Sequence, residues 1–403
     1  MLHSKLHSHH YQSICVKDPA IESNHAHIPP IYATSTFTYE DLEAAFAFFR
    51  GESDIYTYSR FGNPSTAFLA QKIAELEVCG ISEPIEARGL LFSSGMAAIS
   101  SALISQLKAG DTVLRQSIIY GAASDLIDND FKAFDIHSAT HNFKDLDHLE
   151  KTIKKNPTIK VFYLETPANP TLACVDLNAI CDFAQQYGIK VIIDNTFATS
   201  YVQQPLKFGV DIVVYSTTKF MNGHGTGISG AVVTRSLDDH KKIYQLLKNL
   251  GGVCSPFEAY LLNNGLKTLP LRIRQHQYNA QLLAEYLTTH EKVKKVNFLG
   301  LPTHPDHLLA SEQMMGTTGM LSFELKGGLE EGMKFQKKIK FCTLTASLGT
   351  ADTLITHPAS TSHAVVDRNE RIENGITDGL VRCSVGIEHI DDVLEDFEQA
   401  LTT

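Results

Sequence analysis

The sequence predicts an α/β fold: a large domain built on a mostly parallel sheet, a smaller C-terminal α+β domain, and an N-terminal arm. Three observations predict it. From about Pro64 helical and strand patterns alternate, the helical segment DLNAICDFAQQYG runs directly into the strand KVIID, and after about residue 265 the texture changes to one long helical stretch followed by strands and helices. The resulting division is an arm over 1–63 that contacts a neighbouring subunit, a large domain over 64–265 and a small domain over 266–403.

The elements follow in order. Residues 1 to about 62 show little periodicity, and so long an unpatterned stretch needs another surface to pack on. Leu69, Ile73 and Leu76 share one helical face; Leu90 to Ser94 is a short strand, and Met96 to Leu107 returns to helical spacing. Strands begin at Thr112 and Lys160. Asp176 and Gly188 bracket a helix as N-cap and C-terminal glycine, and the strand ending at Asp194 completes a βαβ unit. Ile212 to Val214 is a buried strand. Beyond it come a helix over Leu271 to Thr289, the strands KVNFLG and GMLSFELKG, a helix after Gly332 and a final amphipathic helix, IDDVLEDFEQAL.

Composition narrows the classes of function. With 403 residues, 43% of them hydrophobic, the chain can bury more than one core. A net charge of -10 with mixed signs argues against nucleic acid or an anionic membrane as main partner. No apolar run approaches a bilayer span, and MLHSKLHSHHYQS lacks the apolar centre of a secretory signal, so a cytoplasmic location is expected. The seven cysteines form no C-x-x-C pair and read as reduced thiols. His3, His7, His9 and His10 cluster without carboxylate or cysteine at ligand spacing, which reads as a terminal tail; no metal is expected.

Lys219, in DIVVYSTTKFMNGHG, is the most informative residue. It follows an apolar strand and precedes Gly223, Gly225 and Gly227. Held out of bulk water there, its amine can lose a proton and attack a carbonyl, although a surface lysine ending a strand has the same local pattern. If Ser216 to Thr218 stays extended, both hydroxyls lie on one side and reach a common phosphate. Ser94-Gly95-Met96 lies between a strand and a helix start, where free N–H groups suit an anion. Asp194 closes VIID; it either pairs with a cation such as a protonated pyridine nitrogen or caps a turn. Arg382 lies within an apolar strand and needs an anion, either a substrate carboxylate or a structural partner. Tyr58 and Arg60 stand two residues apart before a turn. No G-x-G-x-x-G follows the early strands, which counts against a nicotinamide oxidoreductase.

Together these stretches resemble the Cys/Met-metabolism family of pyridoxal phosphate enzymes. The resemblance runs from PIYATSTF at Pro30 to the last helix and includes, in the family's order, SSGMAA, ETPANP, DNTF, STTKFMNGHG, HPAST and VRCSVGIEHIDD. It implies a fold type I transferase fold and a homotetramer of dimers with shared active sites. It casts Lys219 as the Schiff-base lysine and Asp194 as partner of the pyridinium nitrogen. Gly95, Met96, Ser216 and Thr218 would hold the phosphate, joined by Tyr58 and Arg60 from the adjacent subunit. Tyr120 would stack on the cofactor ring and act as acid or base, Asn169 would contact the ring hydroxyl, and Ser347 and Arg382 would bind the substrate carboxylate.

Within that resemblance, Lys219 removes the Cα proton, a second proton leaves Cβ, and the γ substituent departs with help from Tyr120. Departures from the family pattern bear on the substrate. Cystathionine-handling members often carry an arginine five residues after the tyrosine, where this chain has Asp125, which would repel a distal carboxylate. Methionine γ-lyases commonly carry a cysteine two residues after it, where this chain has Ala122. Ser255-Pro256 and HPAST lean toward lyases and sulfhydrylases. The expected activity is a carbon–sulfur lyase acting by γ-elimination on L-methionine or L-homocysteine. The alternative is γ-replacement on an O-acylhomoserine, by a cystathionine γ-synthase or a sulfhydrylase. A binding protein that has lost catalysis is disfavoured because every residue the cofactor needs is present.

Overall fold

The computed structural model describes residues 9–18, 25–364 and 366–402. His3 and His7 of the histidine cluster lie outside them. Seven strands form the larger sheet: β1 (Arg88–Phe92), β2 (Thr112–Gln116), β3 (His137–His141), β4 (Ile159–Glu165), β5 (Lys190–Asp194), β6 (Ile212–Tyr215) and β7 (Gly230–Thr234). Their order is β1-β7-β6-β5-β4-β2-β3, and β7 runs against both neighbours while the other pairs are parallel. Alternation along these β-branched strands sends Val161, Tyr163, Ile192 and Val214 to one face and Phe162, Leu164, Ile193 and Val213 to the other. Both faces are buried under helices, so both sets are apolar.

The smaller sheet comprises β8 (Val293–Asn297), β9 (Met320–Leu325), β10 (Thr343–Leu344), β11 (Leu354–Thr356) and β12 (Leu380–Ser384), in the order β10-β11-β12-β9-β8. It has its own core, with Phe323, Phe335 and Phe397 packed ring against ring. The mostly parallel sheet with helices on both faces, followed by a second, mainly antiparallel sheet, is the α/β architecture expected. No helix among the described residues is long and apolar enough to cross a membrane.

Local chemistry accounts for most element ends. The helix Leu177–Tyr187 starts where Asp176 accepts from the Ala179 N–H at 2.9 Å and stops at Gly188, which adopts φ 64°. In the helix Pro64–Val78, Leu69, Ile73 and Leu76 are fully buried, each contributing about 1.5–3 kcal/mol. The Ser255-Pro256 step is a helix start: Ser255 caps the Glu258 N–H and proline takes the first turn of Pro256–Lys267.

Several expectations need correction. The arm contains two short helices, Tyr11–Val16 and Leu42–Phe49. The helix expected after Gly332 begins at Gly328 and contains Gly332, because a Cβ there would lie 2.6 Å from His357 Nε2. Residues Leu237–Leu250 form a helix that the sequence reading does not assign. The arm is tied down by charge: Asp18 lies 3.0 Å from both Lys72 and Lys267, and Lys72 is only 1% exposed.

Candidate active site

The site forms where β4, β5 and β6 end side by side, at the carboxyl edge of the parallel strands, as expected for ligands of such sheets. A cavity of about 300 Å³ opens there, lined by residues from these strand ends, from the turn after β1, by Ala346 and Leu348 between β10 and β11, and by Arg382 on β12.

After β6 the chain turns instead of staying extended. Lys219 N–H donates to Ser216 O at 3.2 Å and Asn222 N–H to Thr217 O at 3.0 Å, so the expectation of an extended Ser216 to Thr218 is corrected. The turn still points Ser216, Thr218 and Lys219 into one cavity. Lys219 Nζ donates to Ser347 Oγ at 3.1 Å. Burial, and then the positive charge of Arg382, push its amine below the ordinary lysine value, which favours the neutral nucleophile and base.

Opposite, Ser94 caps the ten-residue helix Gly95–Ile104 by accepting from the Ala97 N–H at 3.1 Å. That helix start abuts the lysine turn closely: a Cβ on Gly95 would lie 2.8 Å from Ser216 Cβ. Glycine is required here by contact, and the result is a cup of helix N–H groups and hydroxyls suited to a phosphate. Met96 lines the same cavity.

Deep in the cavity Asp194 is 9% exposed. It accepts from the Thr196 N–H at 2.9 Å, so the turn-capping reading is correct in part, and it also lines the cavity. Beside it in register, one strand over, is Glu165, 5% exposed. Burial raises both carboxyls, and the charge of Asp194 raises Glu165 further, while hydrogen bonds from Thr196 oppose the rise on Asp194. A cation brought into the cavity would favour the charged form of Asp194.

At the other wall Arg382, on β12, has no carboxylate partner among the described residues. Its Nη1 donates to Asn169 Oδ1 at 3.2 Å, its Nη2 to Ser347 O at 2.9 Å and Thr356 Oγ1 at 3.3 Å, and its buried Nε has no partner. Burial pulls its guanidinium down to about 10. A bound carboxylate would relieve that cost, which disfavours the alternative of a structural ion pair. Tyr120, about half exposed, faces the same cavity from the start of the helix Gly121–Asp128.

Tyr58 and Arg60 are not brought to this cavity within the protomer. Arg60 lines a separate pocket, where it donates to Lys248 O and lies over the rings of Tyr58 and Phe61. Asp125 accepts from Asn129 Nδ2 on the exposed face of its helix. Sequence reasoning missed Glu165 and Thr196. Glu165 closes an apolar strand just as Asp194 does, and that shared pattern is the signal that could have found it.

The residues present fit pyridoxal phosphate: a partly desolvated lysine, an anion cup at a helix start, a buried carboxyl for a ring cation and a guanidinium with an unpartnered Nε for a carboxylate. Fold and site together define a pyridoxal phosphate enzyme of fold type I. Residues 13–402 match the family described as Cys/Met metabolism PLP-dependent enzyme. An L-methionine gamma-lyase of Fusobacterium nucleatum subsp. nucleatum is 45% identical over 374 residues, 92% of each chain. Among solved structures, cystathionine gamma synthase from Xanthomonas oryzae pv. oryzae in complex with cystathionine is 36% identical, with a TM-score of 0.89 over 97% of each chain. A Campylobacter jejuni structure holding N'-pyridoxyl-lysine-5'-monophosphate is 31% identical, with a TM-score of 0.92 over 98% of this chain and 100% of that one. The chain belongs to the Cys/Met metabolism family of pyridoxal phosphate-dependent enzymes.

Proposed function

We propose that the protein is a carbon–sulfur lyase that converts L-methionine or L-homocysteine by γ-elimination. For methionine, one water is consumed and 2-oxobutanoate, ammonia and methanethiol are formed. The observation that carries this reading is the cavity wall. Among its described residues Lys219 and Arg382 are the two cations, both needed near Cα, and the remaining surface is largely apolar: Ile99, Phe197, Ile228, Leu348. An uncharged thioether suits that wall, whereas a distal carboxylate would find no counter-charge from this protomer. The 45% identity to a protein named L-methionine gamma-lyase supports the same choice.

In this reading Arg382, oriented by Asn169 and the Ser347 carbonyl, binds the substrate carboxylate. Lys219 Nζ, its amine pushed below the ordinary lysine value by burial, accepts the Cα proton and later carries a proton toward the γ side. When bound, the cofactor supplies an electron sink for the charge that develops at Cα. Asp194 would hold the ring cation that makes the sink effective, and Gly95, Met96, Ser216 and Thr218 would hold the phosphate. Tyr120 would stack on the ring and give a proton to the departing sulfur.

The same reading includes a cytoplasmic homotetramer built from dimers, with the arm over 1–63 reaching the neighbour, and large and small domains over 64–265 and 266–403. Two features support the assembly. Tyr58 and Arg60 lie away from their own protomer's cavity, and Leu42, Phe46 and Phe49 are exposed on one helix of the arm.

The test is a product assay on purified enzyme. Methionine or homocysteine alone should yield 2-oxobutanoate and a thiol. Turnover only with an O-acylhomoserine plus a thiol acceptor would replace this reading with γ-replacement.

A further inference from the structure

Glu165 is the one fully buried carboxylate of the cavity for which the chemistry above has no use. It ends β4 next to Asp194 on β5, yet its own hydrogen bonds run elsewhere. One oxygen accepts from the Tyr120 N–H, the residue that begins the helix Gly121–Asp128. The other accepts from the Asn169 N–H at 3.5 Å. Its own N–H donates to Gln116 Oε1 at 3.1 Å, which ties β4 to the end of β2, just before the segment that leads to Tyr120.

Two loops that carry site residues are thus fastened to a single side chain. Tyr120 lies 45 residues away in sequence, and its ring is half exposed, so little else packs it. Asn169 in turn holds Arg382 through Oδ1. We propose that Glu165 is a positioning residue, which sets Tyr120 against the bound cofactor ring and, through Asn169, sets the guanidinium that receives the substrate carboxylate. Burying an acid here is costly, and a neighbour as close as Asp194 makes it costlier, so a purely packing role would be better filled by an apolar side chain. A carboxyl group is used because it offers two acceptors in a fixed fork to two converging N–H donors.

This inference rests on the proposed function for its kinetic consequence but not for its structural one, and the experiment separates them. Glu165→Ala and the isosteric Glu165→Gln, purified as holoenzymes, are compared with wild type by amide hydrogen exchange, visible circular dichroism of the bound cofactor and steady-state kinetics. Exchange at Tyr120 and Asn169 should rise about tenfold or more in Glu165→Ala while β4 and β5 stay protected, with Glu165→Gln between it and wild type because one acceptor remains. The dichroic band should weaken. Turnover should fall about 10- to 100-fold, as expected for a misplaced acid. In a Tyr120→Phe background the same substitution should cost several-fold less than in the wild type, because the part that acts through Tyr120 is already lost. Unchanged exchange at both amides, or full additivity of the two substitutions, overturns the proposal. A wild type that releases no thiol from methionine would overturn the lyase reading, while the exchange data would still decide on Glu165.

Discussion

Arg382 shows how much one side chain can disclose. A guanidinium inside an apolar strand, with a buried Nε that bonds to nothing, is desolvated without a carboxylate to offset the cost. Its geometry gives a prediction. Arg382→Lys keeps the charge but loses the planar fork, and KM for methionine should rise about 10- to 100-fold with a smaller change in kcat. Steady-state kinetics check it, and an unchanged KM would remove Arg382 from substrate binding. Lys219, Asp194 and Arg382 were legible in the sequence because each sets a charge against an apolar run, a conflict that function resolves. The Asn169 to Arg382 contact was not legible. It joins positions 213 residues apart, and nothing in ETPANP distinguishes an amide aimed at a cofactor from one aimed at an arginine.

Among the elements, the helix Pro64–Val78 carries a buried acid near its end, Glu77, whose oxygens accept from the Tyr215 hydroxyl and from the Leu206 N–H at 3.3 Å. Burial raises it from 4.5 to about 8. The folded chain therefore holds a proton that the unfolded chain has released between those values, and stability should fall as pH rises through the window and level off above it. Thermal melts from about pH 5 to about pH 9 should show the wild type losing stability relative to Glu77→Gln up to about pH 8; parallel curves would mean that the acid is not protonated in the fold. The helix Leu177–Tyr187, bracketed by Asp176 and Gly188, was legible. The helix Leu42–Phe49 was not, since LEAAFAFF is apolar on nearly every side and its large side chains remain exposed, so no periodicity marks a face. Gly332 misled for a different reason: it marks close packing against His357 inside a helix, and glycine does not declare which of its uses applies.

At the scale of the molecule, the separation of Tyr58 and Arg60 from their own cavity predicts intersubunit complementation. Lys219→Ala and Arg60→Ala should each be nearly inactive. After dissociation and reassembly of an equal mixture, hybrid dimers would carry one intact site, and about a quarter of wild-type activity should return. No recovery, with hybrids verified by native mass spectrometry, would mean that each protomer completes its own site. A mostly parallel sheet covered on both faces followed from the alternation of helical and strand patterns, whereas the strand order, with β7 antiparallel between β1 and β6, did not. The place of Tyr58 and Arg60 could not follow from patterning, because YSRFGNPST carries no helical or strand periodicity.

The clasp at Asp18 also limits how far the leading segment can be shortened. One carboxylate there balances two ammonium groups, and Lys72 has almost no access to water. A protease cutting upstream of Tyr11 would leave this balance intact. A cut just beyond Asp18 would leave like charges facing each other in a space that solvent barely reaches and would also remove the buried Tyr11, Ile14 and Cys15, so trimming at this end should be tolerated as far as Tyr11 and not past it.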